Sequence, residues 1–260
     1  MTGYLRSIWQ LRYFWFSLIK SDLQLRYRRS FLGIGWSLLH PIGMTIVLCT
    51  VFHKLFGLDL REYGPFVLSG ISFWAYVTTV VTGGCQAFFT AAPFVQQHPV
   101  PMAIYPLRTA LGAGFHALLA LGVVVAVTWV VRGFDNLPAL LAVAPALLLL
   151  CLFGWALATL AGIANVHFPD TQHLSELLLQ VLFYTTPILY KPEMLRERDL
   201  GWLVDFNPIA ALLEIVRAPI LYGRIPDASV YATATVTVLL LVALAAWILK
   251  RVQKELIFRL

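Results

Sequence analysis

The side chains able to do chemistry are few, and their spacing argues against an active site. His98, His116, His167 and His173 recur irregularly and sit mostly near the ends of apolar runs, where interfacial histidines need no ligand to explain them. Cys49, Cys85 and Cys151 lie inside apolar runs without metal-ligand spacing and read as small packing residues. There is no G-x-x-x-x-G-K-[ST] loop to cradle a nucleotide and no H-E-x-x-H to hold zinc. A carboxylate in mid-membrane would point to ion-coupled transport. The main candidate, Glu176, falls near the start of an apolar run, where the helix dipole and nearby water account for it. Glu214 and Arg217 stand three apart and read as a structural pair along one helical face. Two groups remain. Arg26, Arg28 and Arg29 could grip phosphate, or merely anchor a chain at an anionic surface. Phe73, Trp74, Tyr76, Phe88, Phe89, Phe183 and Tyr184 could stack on sugar rings, though core packing or an interfacial belt explains them as well.

The elements that must position these residues are membrane helices. Sixty per cent hydrophobic residues against 12% charged ones leave too little polar surface for a water-soluble domain. Apolar runs of about 20 residues, the length that crosses a bilayer, predict an all-α membrane protein with six spans at about 35–56, 65–89, 107–131, 139–164, 174–190 and 228–249. Pro41 should kink the first span or open its first turn. Before it, residues 1–34 form an interface segment: Tyr4, Ile8, Leu11, Trp15, Leu18 and Ile19 share one helical face, with Arg6, Gln10, Ser17 and Lys20 opposite and Arg12 left to snorkel. Between the fifth and sixth spans the chain is too interrupted by charge and proline to face lipid. It is expected to dip back as a re-entrant helical hairpin at about 200–223. Residues 250–260 form a basic tail, and one domain suffices.

Charge sets the expected orientation. The net charge of +6 is gathered beside the first span and after the last, which suits a membrane anchor better than a nucleic-acid surface. Arg6, Arg12, Lys20, Arg26, Arg28 and Arg29 precede the first span, and Lys250, Arg251, Lys254 and Arg259 follow the last. The excess of basic residues there places both termini in the cytosol, and the interrupted N-terminus argues against a cleavable signal.

The string Arg26-Tyr-Arg-Arg-Ser-Phe-Leu-Gly-Ile-Gly-Trp-Ser-Leu-Leu-His-Pro41 resembles the start of the permease subunits of ABC transporters that export O-antigen, teichoic acid and similar polysaccharides. Thr186-Pro187-Ile188-Leu189-Tyr190 looks like that family's fifth-span exit, and Asn207-Pro208 with Glu214, Arg217 and Tyr222-Gly223 like its outer hairpin. The resemblance implies a homodimer in the cytoplasmic (inner) membrane, bound to two copies of a separate ABC ATPase. ATP and Mg would be held by that partner, this chain would carry no cofactor and no enzyme activity, and the cargo would be a lipid-linked glycan. It further implies a lipid-diphosphate site at Arg26, Arg28 and Arg29 and a gate or hinge at Leu32, Gly33, Trp36 and Pro41. The motor would rest on Trp9, Arg12, Gln97, His98 and Asp170. The rivals are a secondary transporter or channel, which would move cargo without a partner ATPase, and a membrane enzyme acting on lipid-linked sugars, which would need acidic or histidine side chains converging on one face.

Overall fold

The computed structural model of the chain describes residues 2–28, 30–95, 100–133 and 136–259. Every regular element among them is helical. The segment expected to form one interface helix is two helices, α1 (Thr2–Gln10) and α2 (Arg12–Tyr27). Leu11 joins them, its N–H donating to Ser7 and its carbonyl accepting from Phe14 and Trp15. The expected face survives the break: Ile8, Leu11 and Trp15 are half-buried and Leu18 and Ile19 buried, while Trp9, Tyr13 and Phe16 stay exposed.

Gly33, at φ +52°, makes the left-handed turn that ends this segment, with its N–H donated to Ser30 Oγ. A short 3₁₀ turn then leads into α3 (Trp36–Phe56), whose helix runs through Pro41. Asp59 caps α4 (Leu60–Gln86) by accepting from the N–H of Arg61. Helix α5 (Ala92–Val95) is a single turn before α6 (Ile104–Arg132), and a 3₁₀ segment at Leu137–Ala142 opens α7 (Val143–His167). Then come α8 (Thr171–Thr185), the short α9 (Pro192–Arg196) and α10 (Trp202–Asp205), α11 (Pro208–Tyr222), capped by Asn207, and α12 (Ala228–Arg259).

Helices α3, α4, α6, α7 and α12 are long and apolar enough to cross a membrane. Helix α8 is not. The residue before a proline is pushed to extended backbone, so Thr186, at φ −94° and ψ 138° ahead of Pro187, stops α8 after 15 residues, about 22 Å of helix. The segment expected as a tail beyond residue 249 is instead a continuation of α12, whose Leu256 is buried.

Helix α4 is the axis of the bundle. It is pressed against α7 through glycines: a Cβ at Gly84 would lie 2.6 Å from Ala158 Cα, one at Gly162 2.7 Å from the Gly84 carbonyl, and one at Gly154 would strike the Tyr76 hydroxyl. That hydroxyl donates to the Leu150 carbonyl across the same seam, at 2.7 Å. Small residues let two backbones approach and gain dispersion contact where lipid offers no hydrophobic drive between helices. At one end of the bundle Phe88, Met102, Tyr105, Ile163, Leu249 and Leu256 cluster with Ile8, so α1 and the end of α12 meet there. At the other end the α9–α11 segment forms a cap. Helix α8 and the turn residues after it connect the two: Gln86 donates to Gln172 at the terminal end, and Lys191 reaches Glu62 at the cap end.

Candidate functional site

A cavity of about 500 Å³ opens between α3, α4 and α6. Helix α3 supplies Trp36, His40, Pro41 and Met44, α4 supplies Ser72, Trp74, Tyr76, Thr78 and Thr79, α6 supplies His116, and α8 reaches in with Phe183. Arg26 and Tyr27, the last turn of α2, stand at its rim. The walls are aromatic: Trp74 and Phe183 meet edge to face with centroids 5.8 Å apart. The hydroxyls of Tyr76, Thr78 and Thr79 are spent on helix carbonyls, whereas buried Ser72 Oγ has no partner. Tyr27 shares a hydrogen bond of 3.2 Å with His116 Nδ1. Among the described residues the cationic or basic lining is Arg26, His40 and His116, and none of the lining residues is a carboxylate. Such a surface can stack on sugar rings and attract an anion.

A second cavity, of about 850 Å³, lies under the cap. Its charges are of both signs and largely paired. Lys191 lies 2.8 Å and Arg132 3.7 Å from Glu62, Arg196 lies 2.7 Å from Asp205, and Arg224 lies 3.1 Å from Glu214. The hydrogen bond that Arg196 donates to Asp205 holds the guanidinium above its usual range.

Arg217 therefore does not pair with Glu214, as their spacing suggested. It is 2% exposed and its donors go to backbone and hydroxyl oxygens: Nη1 to Pro187 at 2.8 Å, Nε to Ser69 Oγ at 3.1 Å, Nη2 to Phe66 at 3.3 Å. The guanidinium also lies 3.9 Å over the Phe66 ring. These acceptors include a carbonyl of the non-helical run after α8; Tyr63 donates to another, that of Leu189, at 3.0 Å. Gly70 makes the approach possible, since a Cβ there would fall 2.6 Å from Arg217 Nη2 and 2.8 Å from the Ile188 carbonyl.

Of the residues singled out from sequence, Arg26, Trp36 and Pro41 are brought together at the first cavity, with Leu32 and Gly33 in the turn beside it. Arg28 is exposed. Asn207, Glu214 and Arg217 line the second cavity, and Pro208 opens α11. Arg12 stacks over Tyr13 at 4.6 Å and Trp9 at 5.7 Å, and Asp170 is exposed at the start of α8. Arg29, Gln97 and His98 lie outside the described residues. Sequence reasoning passed over His40 and Ser72, and it took His116 for an interfacial residue although it lies well inside α6. It also missed Asp22, which Arg108 holds through two hydrogen bonds. The available signal was Asp22 itself, a lone acid in a basic segment.

A family model described as ABC-2 type transporter matches residues 13–221. The chain is 27% identical over 252 residues to an O-antigen export system permease protein RfbA of Myxococcus xanthus, covering 93% of each. It is 24% identical over 196 residues, 75% of each chain, to a protein of that name from Klebsiella pneumoniae.

Proposed function

This chain belongs to the ABC-2 type transporter family, and on that premise we propose that it is the permease subunit of an ATP-driven exporter of O-antigen or a similar lipid-linked polysaccharide. The observation that carries the reading is the cavity between α3, α4 and α6: aromatic walls suited to sugar rings, with Arg26 and two histidines suited to a phosphate-bearing lipid carrier. Two relatives named for O-antigen export, matched over most of their length, support the cargo class. The chain works in the inner membrane with both termini cytosolic, a placement favoured by the basic residues of its terminal segments. Six crossings follow if α8 with residues 186–190 completes the fifth, and α9–α11 then form a re-entrant hairpin on the outer side.

The energy source is a separate ABC ATPase in two copies, holding ATP and Mg and docked on the end of the bundle that carries Trp9, Arg12 and Asp170, with Gln97 and His98 as further proposed contacts. A second copy of this chain covers α3 and α8. Only 11% of the apolar stretch of α3 is buried, against 67% for α4, and Leu174, Leu177, Leu178 and Val181 of α8 are exposed. Because α3 and α8 also give Trp36 and Phe183 to the cavity, such a dimer extends its wall. Arg26, Arg28 and Arg29 receive the lipid diphosphate, and residues from Leu32 to Pro41 form the gate. Two experiments test this reading. Loss of the chain in its host should leave lipid-linked polymer inside the cell and none at the surface; unchanged surface glycan would overturn the function. Changing all three arginines to Gln should reduce export while insertion and ATPase binding persist; a loss of insertion alone would reduce them to anchors.

A further inference from the structure

We propose that α6 is the rod that carries motion from the N-terminal helices to the cap, with Asp22 and Tyr27 as its coupling at one end and Arg132 as its coupling at the other. The inference rests on the exporter reading above, in which a motor pushes on the terminal end. At about 1.5 Å per residue its 29 residues reach roughly 44 Å, the depth of the bundle. At the terminal end Arg108 holds both carboxylate oxygens of Asp22, a two-pronged contact that fixes orientation as well as distance. Further along the same face Tyr27 bonds to His116, so α2 is fastened to α6 at two levels, and the second level is in the wall of the first cavity. At the cap end Arg132 donates to the Leu221 carbonyl at 3.1 Å, lies 5.9 Å from the Tyr222 ring centroid and 3.7 Å from Glu62. One helix therefore touches the N-terminal segment, the cavity and the cap through specific polar contacts.

What lies between these couplings differs from the α4–α7 seam. There glycines are filled by the opposing backbone, so the two helices cannot slide. On α6 a Cβ at Gly112, Gly114 or Gly122 would meet nothing within 4 Å, and Thr109 beside Gly83 is the close approach that α6 makes to a described glycine of α4. Helix α6 packs on both α4 and α7, but through side chains and not through glycines filled by the opposing backbone, and the proposed motion is a shift of α6 along that pair as a unit. A shift moves His116 within the cavity and Arg132 under the cap together, which links cargo contact to cap opening.

The test uses the complex of this chain with its ATPase in proteoliposomes, measuring ATP hydrolysis and polymer exported per ATP. Asp22→Arg and Arg108→Asp should each leave hydrolysis running while export per ATP falls about ten-fold, within the range of measured coupling energies. The double reversal should recover most of that loss, which general damage to the fold would not do. If the reversed single variants fail to assemble, Asp22→Asn and Arg132→Gln carry the same test. Export per ATP unchanged in well-assembled single variants, or a double reversal as uncoupled as either single, overturns the rod. A wild-type complex that exports nothing with ATP overturns the exporter reading instead.

Discussion

The two cavities are built on opposite rules. The one between α3, α4 and α6 has aromatic walls, three cationic or titratable side chains and no carboxylate, so nothing inside it satisfies its charge. The one under the cap is crossed by the pairs Lys191–Glu62, Arg196–Asp205 and Arg224–Glu214, with Glu193, Glu197 and Asp227 beside them, and its most buried cation, Arg217, is held by backbone oxygens. A cationic surface is ready for an anionic guest; a surface crossed by ion pairs is held together by its own contacts. On the proposed reading the first takes cargo and the second holds the cap closed, and substitutions should separate the two.

The largest effect is expected at Arg217. Replacing it by Ala leaves the Pro187 carbonyl without its donor in a buried site and empties the space over the Phe66 ring. Each buried polar group left without its partner costs about 1–3 kcal/mol, and more than one is left here. Arg217→Ala should lower the unfolding temperature of the purified protein in detergent steeply, and Arg217→Lys, which keeps the charge but loses the fork, should fall between. Wild-type stability in the alanine variant would mean that water replaces the guanidinium and that the cap is not held by it.

Gly70→Ala comes next, and it tests the same closure with the Arg217 side chain kept in place. The added methyl meets both the Arg217 guanidinium and the Ile188 backbone oxygen, which cannot rotate away, so α4 and the non-helical run after α8 must part. Overpacking of this kind costs roughly 1–3 kcal/mol. The Gly112→Ala substitution on α6, where the methyl meets nothing, is the control and should be neutral to slightly stabilising. Equal losses in the two would show that helix glycines matter here through backbone freedom and not through space.

Ser72→Ala sharpens the other side of the comparison. An unpartnered buried hydroxyl costs about 1–3 kcal/mol, so removing it should leave stability unchanged or raise it by that order. Reduced export in a protein of undiminished stability would show that the hydroxyl is kept for cargo. Unchanged export would leave the aromatic walls and Arg26 as the contacts that matter.

The helices were legible because apolar length is a strong signal, and the inward face of α1 and α2 because its period survives even across the break at Leu11. Three features were not. Thr186–Tyr190 continues an apolar run, and only the restriction that Pro187 places on its predecessor shows that α8 stops early. Glu214 and Arg217 have pairing spacing, yet the unwound carbonyls of residues 187 and 188 compete for Arg217 and win because they are buried with it. Asp22 with Arg108, and Tyr27 with His116, are separated by 86 and 89 residues, and no local pattern marks such a pair. The cavity lining was half legible: Arg26, Trp36 and Pro41 came from one motif, while His40 and Ser72 carry no signal until α3 and α4 are placed side by side.

The smallest effect belongs to Arg196 and Asp205, and it marks where closure by charge stops mattering. Both side chains are 53% exposed, so water screens the pair and the two long side chains lose rotamer freedom to hold it. Exposed pairs of this kind contribute up to about 1 kcal/mol. Asp205→Asn should shift the unfolding temperature slightly at low salt and not measurably at 1 M salt, whereas the loss in Arg217→Ala should be the same at both, because salt does not reach a guanidinium sealed among carbonyls. A salt-insensitive loss at Asp205 would mean that the rim of the cap is buried by something further, and a second copy of this chain is the first candidate to cover it.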